Sequence, residues 1–249
     1  MNFIITGASR GLGEEFAKLA SEFGGIVGII ASNQEKLKAV AENLKNCSVI
    51  TYTCDFTNQE EVDALILELQ SDFKKIDVLI NNVGSFETGD LESTSLKQVN
   101  KMLSINFKAA FSITQSFLSQ FKAQKKGVII NISSIYGLVG PDQRIYGKSR
   151  LNSPAFYSAT KGALVNLTRY LAAYWHQKNI RVNTLTLGGV FDSKLHKDKN
   201  FVKNYSNKTM MGRMGKKEDF DGALLFLASD ASGYVTGTNI VVDGGWTAW

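Results

Sequence analysis

Short apolar, β-branched runs alternate with helix-period segments along the whole chain, and this alternation limits the fold more than any other feature. Strand candidates are Phe3–Thr6, Ile26–Ala31, Ser48–Thr53, Val78–Asn81, Val128–Ile132, Arg181–Thr186 and Asn239–Val242. Amphipathic stretches lie between them near 13–23, 34–45, 58–73, 95–123, 155–177 and 217–229. Strands alternating with helices of this length read as βαβ units around a parallel sheet. Right-handed crossovers then put helices on both faces, which predicts an α/β, doubly wound parallel sheet with ligands at the carboxyl ends of its strands. The chain has 249 residues and only two prolines, with no repeat, linker or composition shift, so a single domain over 1–249 is expected.

A glycine loop, Thr6-Gly7-Ala8-Ser9-Arg10-Gly11-Leu12-Gly13, joins the first strand to the first helix. Gly7 permits the tight turn, while Gly11 and Gly13 let backbone approach a pyrophosphate and let the helix pack on the strand. In that setting the loop predicts a Rossmann-like dinucleotide site. The second strand ends Ile30-Ala31-Ser32-Asn33, without the carboxylate that would bind an adenosine ribose and repel a 2′-phosphate. With Arg10 offering a positive charge, the expected cofactor is NADP, with NAD still open.

Tyr157 and Lys161 stand one helical turn apart in Tyr-Ser-Ala-Thr-Lys, on one helix face. An ammonium beside a phenol favours phenolate, so the pair predicts a tyrosine shifted down from about pH 10 and suited to proton exchange with an alcohol or ketone. Together with a dinucleotide loop, it predicts hydride transfer coupled to proton transfer.

Charge and cysteine content narrow the remaining classes. The net charge is +5, yet 194–217 alone carries +7 and 142–150 carries +2, so the rest of the chain is acidic. No aromatic-basic platform accompanies these charges, so an anionic small molecule is expected in preference to nucleic acid. Cys47 and Cys54 lack metal-ligand spacing and read as reduced thiols; no metal site is expected. The first strand begins at once, and no apolar run nears the ~20 residues that span a bilayer, so a cytoplasmic, membrane-free protein is expected. His176 and His196 read as structural or surface residues.

Five motifs in register resemble the short-chain dehydrogenase/reductase family: the glycine loop, Asn81-Asn82-Val83-Gly84, Asn131-Ile132-Ser133-Ser134, Tyr157-x-x-x-Lys161 and the ending Val241-Val242-Asp243-Gly244-Gly245. The resemblance covers essentially the whole chain. It implies Tyr157 as general acid/base, Lys161 lowering its pKa and holding the nicotinamide ribose, and Ser134 bonding the reacting oxygen. Asn106 completes the tetrad by positioning a water that relays protons from Lys161. Ser133 competes with Ser134, which is preferred because it lies three residues before Gly137. Implied cofactor contacts are Gly7, Ser9, Arg10, Gly11, Leu12, Gly13, Ser32, Asp55, Phe56, Asn82, Val83, Gly84, Tyr157, Lys161, Gly188 and Val190. Asn81 reads as a strand tie.

The chain departs from the family pattern in three places. Asn-Asn-Val-Gly stands where the family has Asn-Asn-Ala-Gly. Leu187-Gly188 replaces Pro-Gly, and Asp192 stands where a threonine is usual. Ser134 and Tyr157 are 23 residues apart, more than the family's usual connection. The insertion carries Arg144, Tyr146, Lys148 and Arg150, where loops set specificity. It is similar to the insertion of members from bacterial surface-sugar and flagellin-glycan pathways. Substrate loops are therefore expected at 137–156 and 191–215, with Arg144, Tyr146 and Gly189 as substrate contacts. Two basic segments around one cleft would focus a sugar phosphate, acidic sugar or nucleotide sugar. An acyl-thioester or hydrophobic-ketone reductase, and a non-catalytic cofactor-binding regulator, stay open. A homodimer or homotetramer is expected through the helices at 95–123 and 155–177, with Trp246 and Trp249 at a further interface.

Overall fold

A computed structural model of the chain describes residues 1–149, 151–175 and 177–249. The expectations for Arg150 and His176 lie outside the described residues. All seven strands run parallel in one sheet of order β3-β2-β1-β4-β5-β6-β7. They are β1 Phe3–Thr6, β2 Ile26–Ala31, β3 Ser48–Thr53, β4 Val78–Asn81, β5 Gly127–Ser134, β6 Ile180–Leu187 and β7 Asn239–Val242.

Strand alternation sorts the core into two layers. Phe3, Ile5, Val27, Ile29 and Ile80 point to the face covered by α1 (Gly11–Ser21), α2 (Gln34–Glu42) and α9 (Asp221–Ala228). Ile4, Ile30, Leu79, Ile129 and Val182 point to the face of α3 (Gln59–Asp72), α5 (Ala109–Ser116), α6 (Leu118–Gln124) and α7 (Ala155–Tyr174). Asn81 ties the centre as expected, donating to Asn131 Oδ1 at 2.9 Å and Thr114 Oγ1 at 3.1 Å. No helix among the described residues is long and apolar enough to cross a membrane.

The stretch at 95–123 is not one helix. It is α4 (Leu96–Leu103), a π-helical turn Ser104–Lys108, then α5 and α6, which meet at Phe117 with φ −100° and ψ 5°. The basic segment 194–217 contains a further helix, α8 (Lys199–Asn207), started by the Asp198 side chain accepting from the amides of Asn200 and Phe201. A third cluster, Ile135, Ile145, Tyr146, Phe201, Tyr205, Met214 and Trp246, fastens α8 to the insertion. Asn204 Nδ2 adds a bond to Ile145 O at 3.2 Å. Trp246 is buried in this cluster, its ring 4.4 Å from Tyr205. Trp249 is exposed, its indole donating to Lys208 O.

Candidate active site

β1 and β4 are neighbours although distant in sequence, and their carboxyl ends open the crevice where this architecture binds ligands. The glycine loop enters it pinned from two sides. The amides of Gly7 and Ala8 donate to Ile30 O at 2.7 and 3.2 Å. Asn82 Nδ2 donates to Thr6 O at 2.9 Å and Gly7 O at 3.2 Å, and the Thr6 hydroxyl accepts from the amides of Asn82 and Val83 at 3.0 Å. Asn82 therefore acts on the loop itself, through both carbonyls.

The glycines divide the work. A Cβ on Gly13 would lie 2.1 Å from Gly7 O, so only glycine lets α1 pack on the turn. Gly11 has φ +61° and nothing within 4 Å of where its Cβ would be, which leaves open space at the start of α1. No side chain caps that helix start, where Arg10 is the N-cap residue. Free amides beside open space at a helix N-terminus fit a pyrophosphate. Arg10, Ser32 and Asp55 are exposed around this end. The Phe56 side chain is instead buried among Val62, Leu65 and Leu69, which leaves only its backbone for a ligand.

Past the loop, β5 delivers Ser134 and α7 delivers Tyr157 and Lys161. Ser133 is turned away, its hydroxyl donating to Lys161 O at 2.9 Å, so Ser134 is the serine beside Tyr157. Lys161 Nζ donates to Ile132 O at 2.9 Å and lies 5.9 Å from the centre of the Tyr157 ring. The expected downward shift of the phenol is not found. Burial raises the Tyr157 pKa above its ordinary value, opposed by the hydrogen bond with Ser134. Burial acts instead on Lys161, bringing its pKa down to about 8. In this geometry the lysine donates to a strand carbonyl while its ammonium stands over the Tyr157 ring.

That shift has a stability signature. Between about pH 8 and the ordinary lysine value of 10.5, the folded chain holds fewer protons at Lys161 than the unfolded chain. Stability from this group therefore rises with pH across that window and is absent below it. Measured by thermal melts from pH 7.5 to 10, wild type should gain on Lys161→Met as pH rises. A constant gap would show that burial does not shift this lysine.

Asn106 sits in the π-helical turn, as such turns often do at functional positions. Its Oδ1 accepts from Ser85 N at 2.6 Å, and its Nδ2 donates to Ser85 O at 3.0 Å and Thr160 Oγ1 at 3.1 Å. Both amide hydrogens are thus engaged, and one acceptor position on Oδ1 remains for the water of the expected relay. Gly84 lies between the two ends of that relay: its Cβ position is 3.4 Å from Lys161 Nζ and 3.8 Å from Asn106 Oδ1.

The substrate-side expectations fare differently. Arg144 is exposed and its guanidinium is locked on Asp142 through Nε and Nη2, at 2.8 and 2.9 Å; Lys208 pairs with the same carboxylate. Arg213 and Lys217 are likewise taken up by Asp219 and Glu15, so much of the basic charge is neutralised locally. The Gly189 amide donates to the Tyr205 hydroxyl, and a Cβ there would fall 2.5 Å from that ring, which leaves no amide for a substrate. Gly188 packs on the Asp243 backbone, and Val190 pairs with Gly215. Tyr146 is buried, its hydroxyl 2.9 Å from that of Tyr136. The Asp192 carboxylate accepts from Lys194 N, and His196 accepts from Asp192 N while lying between Phe191 and Phe201. Phe86, which the sequence did not single out, packs edge-on against Tyr157 with ring centres 4.9 Å apart. It follows Gly84 in an irregular loop, so no periodicity marks it.

A nucleotide-type crevice floored by parallel strands, with a tyrosine, a serine and a buried lysine at its far end, defines a dinucleotide-type α/β oxidoreductase. The family profile described as Enoyl-(Acyl carrier protein) reductase matches residues 7–247. A tropinone reductase homologue of Arabidopsis thaliana is 35% identical over 250 residues, covering 98% of this chain and 91% of its own. A short-chain dehydrogenase of Leptospira borgpetersenii, solved with bound NAD+, superposes with a TM-score of 0.87 at 33% identity, covering 99% of this chain and 92% of its own. A gluconate 5-dehydrogenase of Burkholderia cenocepacia, solved with NADP and tartrate, gives a TM-score of 0.86 at 28% identity, covering 100% of this chain and 95% of its own. The chain belongs to the short-chain dehydrogenase/reductase family and is an oxidoreductase acting on CH–OH groups.

Proposed function

We propose that this chain, as one NAD(P)-binding domain, interconverts a secondary alcohol and a ketone on an acidic polyhydroxy compound, preferring NADP while admitting NAD. The observation that carries the chemistry is the convergence of Ser134, Tyr157 and buried Lys161 at the ends of β5 and α7. The bound dinucleotide supplies or takes the hydride. In the reductive direction the Tyr157 hydroxyl gives its proton to the carbonyl oxygen, and the Ser134 hydroxyl donates to the same oxygen as charge builds on it. Lys161 has a hydrogen free beyond its bond to Ile132 O and lies beside Gly84, where it would hold a ribose hydroxyl. The raised pKa of Tyr157 keeps it protonated at neutral pH, which suits a proton donor.

Support for the acidic substrate comes from the gluconate 5-dehydrogenase likeness and from Lys194, Lys197, Lys199 and Lys203, which make no ion pair among the described residues. NADP is favoured by exposed Arg10 and the carboxylate-free end of β2. Replacing Arg10 by Ala should lower the NADP-over-NAD preference in kcat/KM by about tenfold, the worth of one charge-assisted contact. An unchanged ratio removes Arg10 from cofactor choice. Self-association belongs to the same reading, through the exposed aromatic face of α5 and α7 formed by Phe111, Tyr170 and Tyr174.

The test is absorbance of the reduced nicotinamide with D-gluconate and related sugar acids, using NADP+ and NAD+ in turn. Turnover of a sugar acid supports the whole reading. Turnover confined to neutral ketones keeps the chemistry and removes the acidic substrate.

A further inference from the structure

Ser134, Tyr136 and Tyr146 gather hydroxyl groups at the substrate end of the site. The Tyr136 amide donates to Ser134 Oγ at 3.3 Å, so its residue is fastened to the serine beside Tyr157. The Tyr136 and Tyr146 hydroxyls are 2.9 Å apart, and either can donate. Tyr146 cannot swing away: it is 7% exposed and stacked on Phe201, 5.5 Å between ring centres and 9° from parallel. Behind it lies Ser153, 4% exposed, whose hydroxyl neighbours that of Tyr146. Burial pushes both phenols above their ordinary pKa, so both stay protonated.

Two phenols carry two hydrogens, and one bond between them uses only one. Tyr136 is the half-buried, outer member and feels the Tyr157 phenol. Whichever way the pair is oriented, Tyr136 is left with either a hydrogen or an acceptor position facing outward. A group that can meet either need is an alcohol hydroxyl. A carboxylate only accepts, and burying it here would need a cation. The nearby Arg144 and Lys208 are held on Asp142. Phe86, 46% exposed and edge-on to Tyr157, adds an apolar wall of the kind a carbon skeleton covers.

We propose that Tyr136, backed by Tyr146, binds a second substrate hydroxyl on the carbon next to the one that reacts, so that the site selects α-hydroxy ketones and vicinal diols. This rests on the alcohol–ketone reading above and is independent of the acidic group. A polar site built for a substrate hydroxyl discriminates strongly against the analogue lacking it, because its own groups are then left unpaired.

The test compares 2-hydroxycyclohexanone with cyclohexanone, both neutral, using reduced NADP and wild type, Tyr136→Phe and Tyr146→Phe. Wild type should favour the hydroxyketone in kcat/KM by at least about 100-fold. Tyr136→Phe should bring that ratio below about 10, with Tyr146→Phe in between. A structural role alone would lower both rates and leave the ratio unchanged. Should Tyr136→Phe fail to fold, Tyr146→Phe carries the comparison. A wild-type ratio near one, a ratio unmoved by both substitutions, or no turnover of the hydroxyketone while cyclohexanone reacts overturns the inference. No turnover of either ketone by a wild type that binds no reduced dinucleotide, judged by its fluorescence, overturns the alcohol–ketone reading and the inference with it.

Discussion

Tyr157→Phe should lower kcat by about a thousandfold while leaving dinucleotide affinity within a few-fold, since a positioned acid/base contributes 10²–10⁴. The substitution keeps the ring that packs on Phe86 and removes only the hydroxyl that meets Ser134. Fold and crevice should survive, with a melting temperature within a few degrees of wild type, because one neutral hydrogen bond is worth about 1 kcal/mol. Reduced-dinucleotide fluorescence reads the binding and 340 nm absorbance the turnover. A variant that keeps more than a tenth of wild-type kcat would take the proton-transfer role away from Tyr157. Ser134→Ala should fall between the two, because it removes a donor to the reacting oxygen without removing the proton source.

Gly13→Ala should lower the melting temperature by about 10 °C, several times the effect of an ordinary helix substitution. The new methyl would meet Gly7 O at 2.1 Å and Asn82 Nδ2 at 2.7 Å, and neither can yield. Gly7 is held by Ile30 O, and Asn82 by the carbonyls it bonds. Forcing atoms into such a place costs about 3 kcal/mol, and a chain of this size loses roughly 2–4 °C per kcal/mol. Gly11→Ala makes the contrast. Its methyl enters open space, so only the strain of φ +61° applies, about 1–2 kcal/mol. That open space is where a pyrophosphate would lie, so Gly11→Ala should weaken dinucleotide binding by at least tenfold with a smaller loss in melting temperature. Calorimetry and fluorescence titration on both variants separate packing from binding. Equal melting losses would contradict the division of work between the two glycines.

What could be read from the sequence follows the range of the interactions. Five strands begin and end where their apolar, β-branched runs do; for β1, β2 and β4 the reason is that a parallel strand covered on both faces is written as a nearly continuous apolar run. β5 and β6 run a residue or two further at each end, drawn out by their pairing with one another. The helix spanning 95–123 read as one because amphipathic spacing does not reveal a single π turn. The break shows only once Asn106 is seen holding Ser85 and Thr160. α8 was hidden by its polarity: in Lys-Asn-Phe-Val-Lys-Asn-Tyr-Ser-Asn only Phe201 and Tyr205 are buried. The signals that could have found it are Asp198 as a cap and that aromatic pair at i, i+4.

Around the site, Ser134, Tyr157 and Lys161 stand together, and Gly84 lies between Lys161 and Asn106. The substrate contacts were harder, because the fate of a charge depends on partners far along the chain. Arg144 reads as a free cation until Asp142 takes it, and Lys208, over sixty residues on, joins the same carboxylate. Gly189 looks available until Tyr205 takes its amide.

The insertion and α8 come from opposite sides of β6 yet share one apolar cluster with Trp246 near the chain's end. The crevice thus has a floor built by the sheet and a roof built from three distant stretches, joined where Ile135 leaves β5 and where Gly189 meets Tyr205. A floor of that kind can keep its chemistry while the roof is replaced, but the roof changes only as a set. A chimera that imports another enzyme's insertion without its matching lid helix and tail would leave Phe201, Tyr205 and Trp246 facing the wrong partners. Substrate range in such a protein is inherited in blocks and not residue by residue.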